Sequence, residues 1–240
     1  MTAPCFISFE GIDGCGKSTQ ARMLAERLRA AGREVVLTRE PGGAPGAEEI
    51  RALVLTGDPG RWSAETETAL FTAARRDHLE KTIRPALARG STVITDRFAD
   101  STRVYQGATR GDLRGLVDRL HDALIGVEPD VTLVLDMEPS ESLDRSIANA
   151  AGARLVAETD ELELSGWSGL TSPAVKKEVV SSAAQRAAEV RFESFGLPFQ
   201  QRLRDGFRVL AAEFPHRCHL VDAAGTPEEV AARIDRALGL

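Results

Sequence analysis

Apolar runs of strand length alternate along this chain with longer stretches of helical spacing. Phe6, Ile7 and Phe9 open the pattern as a short buried strand, and Met23, Leu24 and Leu28 follow at helical intervals. Further strands are predicted at Glu34–Thr38, Ser91–Asp96, Val131–Asp136 and Cys218–Asp222. Between them, helices are predicted from about Ala64 to Ala88 (Leu70, Phe71, Ala74, His78 and Leu79 share a face) and from about Leu113 to Leu124. Another opens at Pro139–Ser140, one follows the stripe Phe199, Leu203, Phe207, Leu210 and Phe214, and a last runs from Pro227 to Leu238. Five strands alternating with helices argue an α/β fold with a parallel sheet covered by helices on both faces.

The pattern lapses between Ser146 and Val190. Ala, Ser and Glu dominate there, Glu158 to Glu163 is an acidic run, Gly166-Trp167-Ser168-Gly169 interrupts it, and no convincing strand appears. Such a stretch reads as a lid, an accessory hairpin or a surface insertion. The expected organisation is therefore a core of residues 1–145 and 191–240 with a lid region at 146–190.

Candidate chemistry concentrates at the strand ends. Gly11 to Ser18 spells G-x-x-x-x-G-K-S between the first strand and its helix. A glycine-rich turn there aims successive backbone N–H groups at a polyphosphate, Lys17 reaches its outer phosphates, and the Ser18 hydroxyl suits Mg²⁺. The chain is thus expected to bind a nucleoside triphosphate. Asp96, closing the third strand, matches the carboxylate that holds Mg²⁺ or its water beside such a loop, and Arg97 could bridge two phosphates. Arg39, before Glu40-Pro41-Gly42-Gly43, is either a ligand at the sheet edge or a solvated surface cation. Phe71 and Arg75, one helical turn apart, either stack on a nucleobase and bond its edge or are a core ring and a surface charge. Ser101 to Gly107 is polar and aromatic where a scaffold helix would be more apolar. Cys15, near Lys17 and a helix start, is either a thiolate-prone group or an inert packed thiol.

Composition narrows the class. The net charge of −6 argues against a non-specific nucleic-acid binder, so basic groups must be concentrated locally if the substrates are anions. The three cysteines are far apart, without metal-site spacing, as expected of reduced thiols in a cytoplasmic enzyme. The first strand begins too early to leave room for a signal peptide, and no apolar run approaches a membrane span.

Taken together, Phe9-Glu10-Gly11-Ile12-Asp13-Gly14-Cys15-Gly16-Lys17-Ser18-Thr19, Thr38-Arg39-Glu40-Pro41-Gly42-Gly43, Leu70-Phe71 with Arg75 and His78, Asp96-Arg97-Phe98 and Ser101 to Gly107 occur in the order and spacing of bacterial-type thymidylate kinases. Val221-Asp222-Ala223 with Pro227-Glu228-Glu229-Val230 is similar to that family as well. The resemblance implies a P-loop NTPase fold with a five-stranded core sheet and transfer of the γ-phosphoryl group from ATP to dTMP. Gly11, Ile12, Asp13, Gly14, Cys15, Gly16, Lys17, Ser18 and Thr19 would bind ATP, with Mg²⁺ at Ser18 and Asp96. Phe71 would stack on thymine and Arg75 would bond its edge. Ser101, Thr102 and Gln106 would line the base pocket, Tyr105 would sit against the sugar, and Asp13 would approach the dTMP ribose and phosphate. Arg39 and Arg97 would hold the acceptor phosphate. Partners expected are ATP, dTMP and a second copy in a homodimer, with no nucleic acid and no membrane.

Two departures stand out. Phe98 replaces the usual Tyr, and the expected lid positions after Arg145 read Ser146, Ile147, Ala148 and Asn149. The pattern that closes the lid appears only as Val190-Arg191-Phe192-Glu193. Arg154, Arg186 and Arg191 are the candidate lid arginines, and Arg191 is the one assigned a catalytic part. Two other readings remain open: a kinase for another deoxynucleoside monophosphate, and a weakly active nucleotide-binding module.

Overall fold

The computed structural model describes residues 5–57, 60–108, 111–148 and 196–240. Strands β1 (Phe6–Glu10), β2 (Val35–Arg39), β3 (Thr92–Asp96), β4 (Val131–Asp136) and β5 (Cys218–Asp222) form one parallel sheet in the order β2-β3-β1-β4-β5. The chain leaves β1 for β2 on one side and leaves β3 for β4 on the other. Connections diverging this way open a crevice beyond the carboxyl ends of β1 and β3. Parallel register brings Arg39 opposite Asp96 and Phe9 opposite Asp96 at that edge.

Side-chain alternation sorts the core. Phe6 faces Val93 and packs with Leu79, Ile83, Ala86 and Phe98. Ile7 and Phe9 point the other way and join Leu24, Leu28, Ile94, Leu133 and Ile234. Burying each such side chain contributes roughly 1.5–3 kcal/mol. Between these hydrophobic rows, Ser8 and Glu10 are fully buried too, and they find polar partners: Ser8 Oγ lies 3.0 Å from Thr132 Oγ1.

Helices α1 (Lys17–Ala30), α2 (Pro45–Leu55), α3 (Ala64–His78), α4 (Arg84–Ala88), α5 (Ala99–Thr102) and α6 (Arg114–Leu124) fill the first three connections. Residues 139–148 form α7, and α8 (Leu197–Glu213) and α9 (Pro227–Leu238) flank β5. The helix expected over Ala64–Ala88 is continuous but contains a π-helical turn at Leu79–Ile83, where Arg84 N–H donates to Leu79 O. Pro85 follows directly; it lacks an N–H and crowds the preceding turn, and the wider turn accommodates it. A second π-helical turn, Arg103–Ala108, extends α5. Of the stripe on α8, Phe199, Leu203, Phe207 and Leu210 are buried, whereas Phe214 lies one residue past the helix.

α2 has no counterpart in the sequence reading, which assigns no element between Gly43 and Ala64. Its opening, Ala44-Pro45-Gly46, looks like a turn, yet Pro is well placed at the first helical position. Ser146 to Ala148 continue α7 rather than breaking from it. The rest of the lid region, with Arg154, Arg186 and the acidic run Glu158–Glu163, lies outside the described residues, as does Arg191.

Candidate active site

The phosphate loop joins β1 to α1 through three glycines with positive φ, Gly11 (135°), Gly14 (84°) and Gly16 (94°). At Gly11 a Cβ would stand 2.6 Å from Leu135 O, and at Gly14 it would collide with Ser142 O, so both the backbone twist and the packing demand glycine. α3 and α9 are capped by Ser63 and Thr226, but α1 starts on Gly16 with no side-chain cap. Its first N–H groups are left for an anion. Lys17 is buried, and its Nζ donates to Ile12 O at 2.7 Å, folded over the loop. Ser18 Oγ donates to Asp96 Oδ2, so the two expected metal ligands meet across the β1–β3 edge. Hydroxyl and carboxylate oxygens are the hard donors Mg²⁺ prefers.

Cys15 is packed rather than reactive. Its side chain is buried, and burial pushes the thiol above its ordinary value despite the opposing charges of Lys17 and Arg97. Lys17 Nζ lies 3.8 Å from its sulfur, too weak a contact to offset desolvation. The thiolate-prone reading is thereby corrected.

On one side of the loop lies a cleft of about 650 Å³. Gly14, Cys15, Gly16, Thr19 and Gln20 form its floor; Ala223, Gly225 and Pro227, after β5, form its far wall. Gln20 Nε2 donates to Pro227 O at 2.8 Å, tying α1 to α9. Arg145, paired with Glu141 at 2.6 Å, reaches the same cleft from α7. No sequence signal marks it, because it precedes the expected lid positions at Ser146–Asn149.

On the other side is a cleft of about 720 Å³, beginning at Asp13. Phe71 and Arg75 (α3), Arg97 (after β3), Ser101 and Thr102 (α5), and Tyr105 and Gln106 (the π turn) all line it. Arg97 has φ 72°, an unusual backbone for a side chain of this size. That twist turns its guanidinium toward Asp13 Oδ1, Tyr105 OH (3.1 Å), Ser101 Oγ (2.9 Å) and Gly11 O (3.2 Å). Tyr105 OH in turn donates to Asp13 Oδ2 at 2.9 Å. Burial pushes the Asp13 carboxyl up, but Arg97, Lys17 and the Tyr105 hydrogen bond outweigh it and hold the group below its ordinary value. Burial pushes the Tyr105 phenol well above its own. The cleft therefore presents an ionised Asp13, a charged Arg97 and a neutral Tyr105 in one network.

Glu10 supports that network from beneath. Its Oε1 accepts from Phe98 N at 2.7 Å and its Oε2 from Ser101 Oγ at 2.5 Å. Burial, with Asp100 adding to it, pushes the Glu10 carboxyl up to about 8. Asp100 accepts from Arg217 at 2.6 and 3.0 Å and from Arg103 at 2.8 Å, which pins α5 to the sheet.

At the deep end, Arg75 is only 4 % exposed; its Nε donates to Glu40 Oε2 at 2.7 Å, and its Nη2 to Phe98 O and Thr102 Oγ1, each at 3.0 Å. Its guanidinium also lies over the Phe98 ring, 5.1 Å from the centroid. The surface-cation reading of Arg75 does not hold. Phe71 is half-buried against the core and still borders the cleft. Gln106 is buried, with its Nε2 lacking a partner among the described residues. A buried amide donor without an acceptor costs stability unless a ligand supplies one.

Arg39 does not reach this cleft. It is more than half exposed and pairs with Glu48 at 3.2 Å, whose carboxylate also accepts from Gly43 N. α2 thus supplies a partner that draws Arg39 outward, and the same helix delivers a different cation: Arg51 lines the cleft, its Nη1 donating to Pro41 O at 2.6 Å. Glu40, Pro41, Leu55 and Phe98 are the other lining residues that sequence reasoning assigned no role.

An uncapped glycine loop at a helix start, with one cleft on each side, defines a P-loop phosphotransferase with separate donor and acceptor sites. The thymidylate kinase family model matches residues 9–162. Thymidylate kinases from Jannaschia sp. (strain CCS1) and Dinoroseobacter shibae are 55% and 56% identical to this chain, each covering 98% of it and 96% of the relative. The crystal structure of thymidylate kinase from Ehrlichia chaffeensis superposes with a TM-score of 0.67 at 32% identity, covering 98% of this chain and 99% of that one. The chain belongs to the thymidylate kinase family.

Proposed function

We propose that the chain carries out its family's reaction, phosphorylation of dTMP by ATP, with ATP in the Gly14–Gln20 cleft and dTMP in the Asp13–Gln106 cleft. The observation that carries this reading is that the two clefts meet at Asp13–Gly14, on the phosphate loop itself. A donor phosphate on that loop and an acceptor phosphate beside Arg97 face each other across one residue. Phosphoryl transfer asks the protein mainly to align the reactants and neutralise their charge.

The backbone N–H groups of Gly14, Cys15, Gly16 and Lys17 hold the donor phosphates. Lys17 swings from Ile12 O to the transferring group. Ser18 and Asp96 hold Mg²⁺, which supplies further charge neutralisation when bound. Arg97 and Arg51 receive the acceptor phosphate, in place of the Arg97–Arg39 pair expected from sequence. Phe71 stacks on the base, and Arg75 and the unpartnered Gln106 amide bond its edge. Tyr105, held by Asp13 and Arg97, stands against the sugar. Arg145 takes the place of a lid arginine on the ATP side, a role the sequence reading gave to Arg191. The enzyme works as a homodimer in the cytoplasm, without nucleic acid. Among the described residues no helix is long and apolar enough to cross a membrane.

The test is a coupled assay with ATP and, in turn, dTMP, dUMP, dCMP, dGMP and AMP. The expected result is turnover of dTMP with poor use of cytosine and purine monophosphates. Preference for any of the latter overturns the reading.

A further inference from the structure

The Arg75 guanidinium has five N–H donors, and the structure accounts for three of them within the protein. Nε is committed to Glu40 and both Nη2 hydrogens to Phe98 O and Thr102 Oγ1. Nη1 alone has no such partner among the described residues, and the side chain lines the cleft. Such a cation, aimed by its own partners, presents a fixed pair of donors and no acceptor. Thymine and uracil offer an oxygen acceptor at position 4, whereas cytosine offers an amino donor there. Discrimination then depends on holding the fork still.

What holds it is a buried chain of residues that starts at Glu40 in the cleft wall and runs back to Thr38. Glu40, its side chain 4 % exposed, divides its carboxylate between two partners, Arg75 through Oε2 and His78 Nδ1 through Oε1 at 3.0 Å. His78 is fully buried on α3, one turn from Arg75, and its Nε2 lies 2.8 Å from Thr38 Oγ1. In the tautomer whose Nδ1–H donates to the carboxylate, Nε2 accepts from the threonine hydroxyl, so every link has a donor and an acceptor. The turn at Gly43, φ 81°, permits the last link, since a Cβ there would collide with Thr38 Oγ1 and His78 Nε2.

We infer that Glu40 and His78 are positioning residues for base recognition: through the chain Thr38–His78–Glu40–Arg75 they fix which edge of the Arg75 guanidinium faces the acceptor base. Neither residue touches the reacting groups. The inference rests on the proposed dTMP specificity and assigns its rigidity to residues that hold Arg75 rather than bond the base. A carboxylate shared between a guanidinium and an imidazole cannot rotate without breaking one bond, and a buried guanidinium that loses its carboxylate loses its only counter-ion among the described residues. Glu40→Gln keeps the shape but removes that charge and places an amide donor against either Arg75 Nε or His78 Nδ1.

The experiment measures kcat and KM for dTMP, dUMP and dCMP, with KM for ATP and thermal midpoints, in the full-length enzyme. The proteins are the wild type, Glu40→Gln, His78→Ala, His78→Asn, Arg75→Ala and the double variant Glu40→Gln/Arg75→Ala. Asn at 78 places an amide donor near the position of Nδ1 and serves as the conservative rescue. Expected for Glu40→Gln is a rise of at least about tenfold in KM for dTMP, a fall of similar size in the dTMP-over-dCMP ratio of kcat/KM, and KM for ATP within about twofold. His78→Ala shifts the same quantities less, and His78→Asn restores most of the loss. Adding Glu40→Gln to Arg75→Ala costs little more, because the residue it positions is gone. A lowered thermal midpoint or kcat with an unchanged dTMP-over-dCMP ratio overturns the inference while leaving the function intact. So does full additivity in the double variant. A wild type that does not prefer dTMP over dCMP overturns the proposed function, and the inference with it.

Discussion

The two clefts beside the phosphate loop are made of different materials. The donor side is mostly backbone: an uncapped helix start, three glycines with positive φ, and a wall of Ala223, Gly225 and Pro227. The acceptor side is made of side chains that pair with one another before any ligand arrives, Arg75 with Glu40 and Arg97 with Asp13 and Tyr105. Backbone donors bind any polyphosphate of the right shape. Paired side chains bind what matches their fixed donors, and they reject the rest by leaving buried groups unpaired. Selectivity for the acceptor with tolerance toward the donor is the behaviour expected of a molecule that uses both.

The sharpest break in that comparison is Lys17, the buried cation folded over the phosphate loop. Lys17→Ala is expected to lower kcat by at least about a hundredfold while the thermal midpoint stays close to wild type. A folded variant with near-normal kcat would leave the backbone alone as the donor machinery. Next in size is Arg97, where function and strain separate. Arg97→Gly and Arg97→Ala are both expected to lower kcat/KM for dTMP by at least roughly tenfold. Yet the glycine variant, free to adopt φ 72°, is expected to be the more stable of the two by about 1 kcal/mol in denaturant unfolding. Equal stabilities would mean the backbone there is not strained.

The support under the acceptor side gives a smaller, pH-dependent effect. Glu10 has its folded pKa raised from 4.5 to about 8, so its folded form binds more protons than the unfolded chain across that interval. Its contribution is fully present below the lower value and is lost as pH rises through the upper one. Glu10→Gln is therefore expected to gain in thermal midpoint relative to wild type as pH goes from 5 to 8. A constant difference across that range contradicts the assignment. Smallest is the effect expected at Cys15: a buried thiol with a raised pKa should label slowly with iodoacetamide at neutral pH, as followed by mass spectrometry. Stoichiometric labelling of the folded enzyme within minutes would restore the thiolate reading.

The same contrast explains what could be read in the sequence. The donor loop is legible because its chemistry is a backbone requirement, and only glycine meets it at Gly11 and Gly14. The five strands are legible as apolar runs, and spacing placed Phe71 and Arg75 on one helix face and Asp96 at a strand end, where the structure has them. Arg51 was hidden because its helix opens with Pro45-Gly46, which reads as a turn. Glu40 sat in plain view within Thr38–Gly43, but its partners, Arg75 and His78, are 35 and 38 residues away and only the fold joins them. Arg39 was assigned from its strand end, and the exposed carboxylate that draws it away belongs to that unread helix.

The central claim, that the acceptor cleft selects with fixed side chains while the donor cleft binds with backbone, is tested most directly by the two Michaelis constants of Arg75→Ala. The account predicts a rise of at least about tenfold in KM for dTMP with KM for ATP within about twofold of wild type. An unchanged KM for dTMP, or an equal rise in both constants, would contradict it.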